Sequence, residues 1–476
     1  MPSYINNLLA GAEVRQSSML RDDGGQRLAE RYMLRELESV VDAFVSGDTE
    51  ERWIILPGLR GTGKSTLLAQ LYFHLWDLGI DRRRVLFLSV DDLVLRIGSR
   101  LIDAIDSFEV HIGKAFETLN KGEEVFIILD EAHYDANWGL ALKTIFDRSK
   151  RVFIISSGSS AIDLTTNADV ARRAQTLRVM PLSFSEYRYL IHKANAKRSK
   201  GYDLLEIILR SSDSREVFDR LSAMKDLLTE LSTSIIPLEM ERYLKLGTMP
   251  FGLGKGPDEL VYSRILDIEN RVITKDLPSL GRFNMETLSK AQNLLTLLAL
   301  SDRLSHESLA RDLGINKITL ANIIKALEMA DIIYRIRPYG SEATRLRKTP
   351  KYKFVAPVFR TAHLWDLGRP IDVGETYGML FEDVAAMYLL SVSRRSRRLR
   401  IDYDHIEGGI DFLVSMGPEK PVGIEVGYGT KGLEQFRTTS ESVGMKYGIL
   451  VADTTLKYHS EDDVVAIPRE WFLMAL

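Results

Sequence analysis

The chain has 476 residues, 45% of them hydrophobic, with a formal net charge of -3 and no cysteine. That length exceeds what one core usually supports, so roughly two to four domains are expected. The lack of cysteine excludes disulfide frameworks and thiolate metal sites, and the charge excludes whole-chain basicity as a route to nucleic acid, leaving only local patches.

The N-terminal stretch lacks the basic start and apolar core of a secretory signal, and no apolar run nears the roughly 20 residues of a membrane span, so a cytoplasmic location and no membrane partner are expected. The first strong element is an apolar strand from Trp53 to Leu56. It runs into Gly58-Leu59-Arg60-Gly61-Thr62-Gly63-Lys64-Ser65, and a helix carrying Leu67, Leu68, Leu71 and Leu75 follows. Strand, glycine loop and helix in this order read as a P-loop. Glycines let backbone N–H groups close around phosphates, and the helix N-terminus adds the positive end of its dipole. Gly58, Gly61, Thr62, Gly63, Lys64, Ser65 and Thr66 are therefore candidates to bind ATP, with Lys64 at the β- and γ-phosphates and Ser65 on Mg²⁺.

A second strand from Val85 precedes a third, Val125 to Leu129, which ends in Asp130-Glu131. Asp130 is placed to hold Mg²⁺ and Glu131 to polarise the attacking water. An extra strand between the two motifs, with that acidic pair, marks the additional-strand catalytic-glutamate (ASCE) class of P-loop ATPases. Strand Val152 to Ile155 ends in the polar run Ser156 to Ser160, where a hydroxyl would sense the γ-phosphate or the lytic water. A fifth strand is expected from Thr176 to Met180, completing a parallel α/β sheet. Arg172 and Arg173 just before it are candidates for a catalytic arginine, in the same or a neighbouring subunit. A solvated helix end is the alternative for both.

The segments GLRGTGKSTLL, IILDEAHYDANWGLALKTIFD, FIISSGSS and MPLSFSEY, in this order, resemble the archaeal and bacterial AAA-family ATPases that continue into a winged helix and a C-terminal restriction-endonuclease-like domain. The resemblance implies an ATPase with an arginine at Arg172 or Arg173 and a tryptophan after the acids at Trp138. It leaves the biological purpose open.

From about Tyr187 the text is charged and helical in period, with Val217, Leu221, Met224, Leu227, Leu228 and Leu231 on one stripe, read as a helical lid over the nucleotide. Residues 285–355 read as a winged helix-turn-helix. Ser305 is the expected N-cap and Gly314 the left-handed turn of its second helix. A hairpin wing turns near Gly340. If it reads DNA, Asn316, Lys317, Thr319 and Asn322 face the major groove and Lys325 a phosphate. The wing adds Arg335, Arg337, Arg345, Arg347, Lys348, Lys351 and Lys353. Protein packing is the alternative use of this module.

The last stretch gives a helix bearing Glu382, a hairpin turning at Gly408-Gly409 whose second strand carries Asp411, then the strand PVGIEVG with Glu425, a helix and a further strand. This order resembles the PD-(D/E)xK nucleases, which implies Glu382, Asp411 and Glu425 as metal ligands. The lysine which that family carries two residues after the glutamate is replaced by Gly427. Lys431 is the alternative cation, and nothing in the sequence fixes its reach. The run Arg394, Arg395, Arg397, Arg398 and Arg400 is either a nucleic-acid contact or a solvated helix end.

The expected architecture is multidomain α/β: a P-loop ATPase domain at 1–186, a helical lid at 187–284, a winged helix-turn-helix at 285–355 and a degenerate nuclease-like domain at 356–476. ATP hydrolysis coupled to DNA or partner binding is the leading reading, and a homo-oligomer is compatible with it. A slow ATP-gated switch or scaffold and an ATP-dependent nuclease for DNA processing or defence remain as alternatives.

Overall fold

The computed structural model describes residues 1–22, 24–158, 168–192, 201–254, 256–276, 285–301, 304–371, 374–396 and 398–476, in two compact units, Met1–Met180 and Pro181–Leu476. Ser159, Ser160 and Arg397 fall outside the described residues, as do parts of the helical segment.

In the first unit five strands form a parallel sheet: β1 (Trp53–Pro57), β2 (Val85–Ser89), β3 (Val125–Asp130), β4 (Val152–Gly158) and β5 (Gln175–Thr176), in the order β2-β3-β4-β1-β5. β1, β3 and β4 are buried along their whole length, which is why Trp53–Leu56, Val125–Leu129 and Val152–Ile155 read as continuous apolar runs. Leu56 pairs with Ser157 and Leu129 with Ser156, so the ends of β3 and β4 stand beside the start of the P-loop. The helix Lys64–Asp77 buries the expected Leu67, Leu68, Leu71 and Leu75.

The fifth strand is shorter than the expected Thr176 to Met180. Leu177 N and Val179 N still donate to Ile55 O and Pro57 O at 2.9 Å each. Pro57 has no N–H with which to return the bond, and the regular ladder stops there.

The second unit carries an eight-stranded mixed sheet. Its strands are β6 (Ile333–Pro338), β7 (Lys351–Phe354), β8 (Leu399–Tyr403), β9 (Phe412–Met416), β10 (Val422–Val426), β11 (Tyr447–Ala452), β12 (Lys457–His459) and β13 (Val464–Pro468), ordered β12-β13-β11-β10-β9-β8-β6-β7. The helix Gly374–Arg395 precedes β8 and packs Tyr377, Leu380, Phe381, Val384 and Met387 into the core shared with this sheet.

The apolar stripe expected over 217–231 is not one helix. Ser214–Ala223 and Lys225–Thr233 meet at Met224, and the break turns Leu227 out to 42% exposure while Val217, Leu221 and Leu228 stay buried. These helices share the core of the eight-stranded sheet, with Phe218 packing on Tyr458, and the end of the preceding helix Gly201–Arg210 meets Tyr447 Oη, which lies 3.0 Å from Ile208 O and 3.2 Å from Ser211 O.

Residues 285–329 form the helices Met285–Leu300, His306–Leu313 and Lys317–Met329 within the described residues. Ser305 caps the second, accepting from Ser308 N at 3.0 Å, and Gly314 ends it at φ 65. β6 and β7 pair antiparallel, but the connection is not a tight turn at Gly340. A short helix, Glu342–Arg347, intervenes because the Ser341 hydroxyl caps it by accepting from Thr344 N at 3.2 Å. β6 also pairs in parallel with β8, which makes this hairpin one end of the larger sheet.

Candidate functional site

The loop between β1 and the helix Lys64–Asp77 is shaped by its glycines. Gly61 and Gly63 sit at φ 83 and φ 90, the left-handed region that other residues adopt at a cost. A Cβ on Gly58 would come within 2.5 Å of Val179 O, so that position must stay bare for the chain to pass. The Thr62 hydroxyl donates to Leu59 O at 2.8 Å. Arg31, from the segment before the sheet, donates to Thr62 O at 2.6 Å and to Met180 O at 3.0 Å. Anchoring that carbonyl orients the peptide whose N–H belongs to Gly63. The Lys64 ammonium donates to Gly58 O at 2.9 Å and Leu59 O at 3.0 Å, folded onto its own loop. Ser65 and Thr66 are half-buried on the first helical turn.

Asp130 is buried at the end of β3, where the Ser157 hydroxyl of β4 donates to it and Ser65 is a further hydrogen-bond partner. Burial, and next the charge of Glu131, push the Asp130 carboxyl above its usual range. Those two groups fit a divalent cation: a desolvated carboxylate beside a hydroxyl gains most from a positive charge. Glu131 adopts φ 54, and its N–H donates to Ser157 Oγ at 3.1 Å. Its carboxylate lies 3.8 Å from the Arg60 guanidinium and 3.4 Å from His133 Nδ1.

The two candidate arginines have different surroundings. Arg173 is held by Asp147 through contacts of 2.9 and 3.1 Å, and that hydrogen bonding moves its guanidinium pKa further up. Arg172 is 76% exposed and lies 4.0 Å from Asp169. Trp138 is 4% exposed and packs in the core beneath the sheet. Sequence reasoning missed Arg31, Arg60 and the dual role of Ser157. Arg60 occupies a variable position inside the motif, and Arg31 carries no motif signal.

The acids of the second unit gather only in part. Asp411 stands immediately before β9 rather than on it. Its N–H donates to Glu425 Oε2 at 3.1 Å, and its Oδ2 accepts from Val426 N at 3.0 Å. Burial, and next the charge of Asp411, push Glu425 up to about 8. Lys431 bonds Glu425 Oε1 and lies 3.7 Å from Asp411 Oδ2. Burial works against its charge, but the two acids outweigh it and hold the ammonium above its ordinary pKa. Glu382 pairs with the fully buried Lys353 at 2.9 Å, and its charge, after burial, pushes the Asp411 carboxyl above its usual range. Among the described residues no group of three or more His, Asp or Glu is placed to hold a metal ion.

The basic patch is also smaller than expected. Arg335 is bound by Glu328 at 3.0 and 2.8 Å, Arg345 by the buried Asp402 at 2.6 Å, and Lys353 by Glu382 and Asp383. Arg337, Arg347 and Lys348 are exposed and Lys351 is half-buried. Asn316 is exposed and caps its helix, its side-chain oxygen accepting from Thr319 N at 2.8 Å. Lys317 pairs with Glu307 at 2.6 Å. Asn322 and Lys325 are exposed and, with Arg335 and Arg337, line a cavity of about 560 Å³.

Residues 50–188 match the family described as AAA domain, and residues 238–364 match a domain of unknown function, DUF8612. The first match, with the P-loop and the acids above, makes the first unit an AAA-type P-loop ATPase core. The chain is 36% identical over 444 residues to the uncharacterized protein MJ1637 of Methanocaldococcus jannaschii, covering 92% of this chain and 88% of that one. The Aeropyrum pernix ORC1 protein in complex with DNA is similar at 14% identity and TM-score 0.31, over 71% of this chain and 94% of that one. The Thermotoga maritima RuvB Holliday junction branch migration motor is similar at 14% identity and TM-score 0.27, over 65% and 90%. No helix among the described residues is long and apolar enough to cross a membrane.

Proposed function

The chain belongs to the family of the Methanocaldococcus jannaschii protein MJ1637, and we propose that it binds and hydrolyses ATP in its first unit and couples nucleotide state to DNA or partner binding by its second. The observation that carries hydrolysis is the junction of Ser65, Asp130, Ser157 and Glu131 at the P-loop.

In this reading Lys64 leaves the Gly58 and Leu59 carbonyls for the β- and γ-phosphates, and loop N–H groups surround the rest. Ser65 and Asp130 would hold Mg²⁺, which supplies neutralising charge at the phosphate oxygens. Glu131 orients a water and takes its proton as the water oxygen bonds the γ-phosphorus and the bond to the leaving ADP oxygen breaks. Arg172, the more exposed of the two candidates, is the better placed to serve a neighbouring subunit. Phosphate release by the full chain is the test. Lys64→Ala is expected to abolish turnover and Glu131→Gln to abolish turnover while still binding ATP; a Glu131→Gln variant as fast as wild type would refute the assigned base.

DNA binding is supported by exposed Asn322, Lys325, Arg337, Arg347 and Lys348 around the third helix and the hairpin. Stimulation of turnover by DNA separates this from the slow-switch alternative, in which turnover ignores DNA. A second reading, phosphodiester cleavage in the second unit, is favoured by one observation: Lys431 reaches the Asp411–Glu425 pair although position 427 lacks a lysine. Cleavage of linear, nicked or branched DNA with Mg²⁺ or Mn²⁺, lost in Asp411→Ala, would establish it.

A further inference from the structure

The P-loop contains one charged residue that phosphate binding as described above does not use. Arg60, between Leu59 and Gly61, approaches the Glu131 carboxylate at 3.8 Å and donates to Tyr134 Oη at 3.1 Å. The two charged side chains are 18% and 17% exposed, so their attraction is less screened than on open surface while a phosphate can still reach them. Resting on the ATP-hydrolysis reading, we propose that Arg60 recognises the γ-phosphate and positions Glu131: before ATP binds it holds the carboxylate at the loop, and a bound γ-phosphate draws the guanidinium away and leaves the carboxylate to the water.

Three features support this. The guanidinium presents a fork of donors that suits phosphate oxygens better than one carboxylate oxygen at 3.8 Å. The Glu131 backbone is fixed, at φ 54 with its N–H on Ser157 Oγ, so a change of side-chain rotamer, away from Arg60 and from His133 Nδ1 at 3.4 Å, releases the carboxylate. Arg60 itself stands between two loop glycines, Gly58 and Gly61, on the stretch whose N–H groups face phosphate. ADP, having no γ-phosphate, leaves the contact intact, so Arg60 distinguishes the two nucleotides.

The test is equilibrium titration of the full chain with ADP and with a β,γ-methylene ATP analogue, in wild type, Arg60→Ala, Glu131→Gln and the double variant. Arg60→Ala is expected to weaken the analogue about fivefold while leaving ADP within about twofold. Glu131→Gln is expected to tighten the analogue about threefold with Arg60 present, and by less in Arg60→Ala, because only the first case removes a contact that binding must break. A larger gain in Arg60→Ala would mean that Arg60 merely screens repulsion, and would overturn the proposal. Equal weakening of both nucleotides would overturn it too. Arg60→Gln supplies the same comparison if Arg60→Ala does not fold. Failure of wild type to bind either nucleotide would instead overturn the ATP reading and the proposal with it.

Discussion

The stem of Lys431 lies where a side chain on Gly427 would stand. A Cβ on Gly427 would meet Lys431 Cε at 2.7 Å, Cδ at 2.8 Å and Cγ at 2.9 Å. The bare glycine and the reach of the ammonium to Glu425 and Asp411 are one feature. Gly427→Ala is therefore expected to cost about 1 kcal/mol of stability, since a flexible stem can yield, while displacing the ammonium from Glu425. Denaturant unfolding checks the first effect. A Glu425 titration moved further upward checks the second.

The raised pKa of Glu425, about 8, makes stability depend on pH. The folded chain holds a proton there that the unfolded chain releases near the ordinary glutamate value. The stabilising contribution is thus complete below about pH 4.5 and is lost as pH rises towards 8, with a slope of up to about 1.4 kcal/mol per pH unit. Glu425→Gln is expected to remove that slope. Unfolding free energies of wild type and variant, measured from pH 5 to 8, give the comparison, and parallel curves would contradict it.

How much of this was legible in the sequence follows from how far apart the partners lie. The P-loop and the Asp130-Glu131 pair are read locally, because each motif and its flanking strand and helix are contiguous. Arg31 meets the loop only through the Thr62 and Met180 carbonyls, and no pattern around it marks that. The break at Met224 keeps the helical spacing of apolar residues, so periodicity alone cannot show it. The hairpin cations look like one patch because their partners Glu328, Asp402 and Glu382 come from other elements.

Arg31 holds the outer side of the P-loop, and its loss is expected to act on both nucleotides alike. Arg31→Ala leaves Thr62 O without that charged donor, so the Gly63 peptide loses its orientation. ATP and ADP affinity are both expected to fall about tenfold, with turnover at saturating ATP changed far less. The KM and kcat of the variant separate this from a general loss of the site.

The buried charges behind β7 differ in how much they leave behind. Arg360 is fully buried, bonds Asp383 at 2.6 and 3.1 Å, and donates to Leu298 O and Ala299 O at 3.3 and 2.7 Å. Arg360→Leu leaves two carbonyls without their donor and Asp383 with only the Lys353 ammonium at 3.3 Å, at an expected cost of about 3 to 5 kcal/mol. Lys353→Met is expected to cost less, because Asp383 keeps Arg360 and Glu382 retains 19% exposure. Chemical denaturation of both variants tests the order.

The hairpin cations divide by whether a carboxylate already holds them, and DNA binding should follow that division. Arg337, Arg347 and Lys348 are exposed, whereas Arg345 is bound to Asp402 at 2.6 Å with only 9% of its side chain exposed. A cation that neutralises a phosphate releases counterions, so each loss is expected to lower the slope of log affinity against log salt by about 1. Arg337→Ala, Arg347→Ala and Lys348→Ala should each weaken DNA binding and flatten that slope. Arg345→Ala should leave the slope unchanged and lower the unfolding midpoint instead, because it leaves Asp402 buried without its partner. Titrations with one duplex at several salt concentrations, paired with thermal unfolding, read both effects. An equal loss of slope in Arg345→Ala would show that the Asp402 contact gives way to DNA.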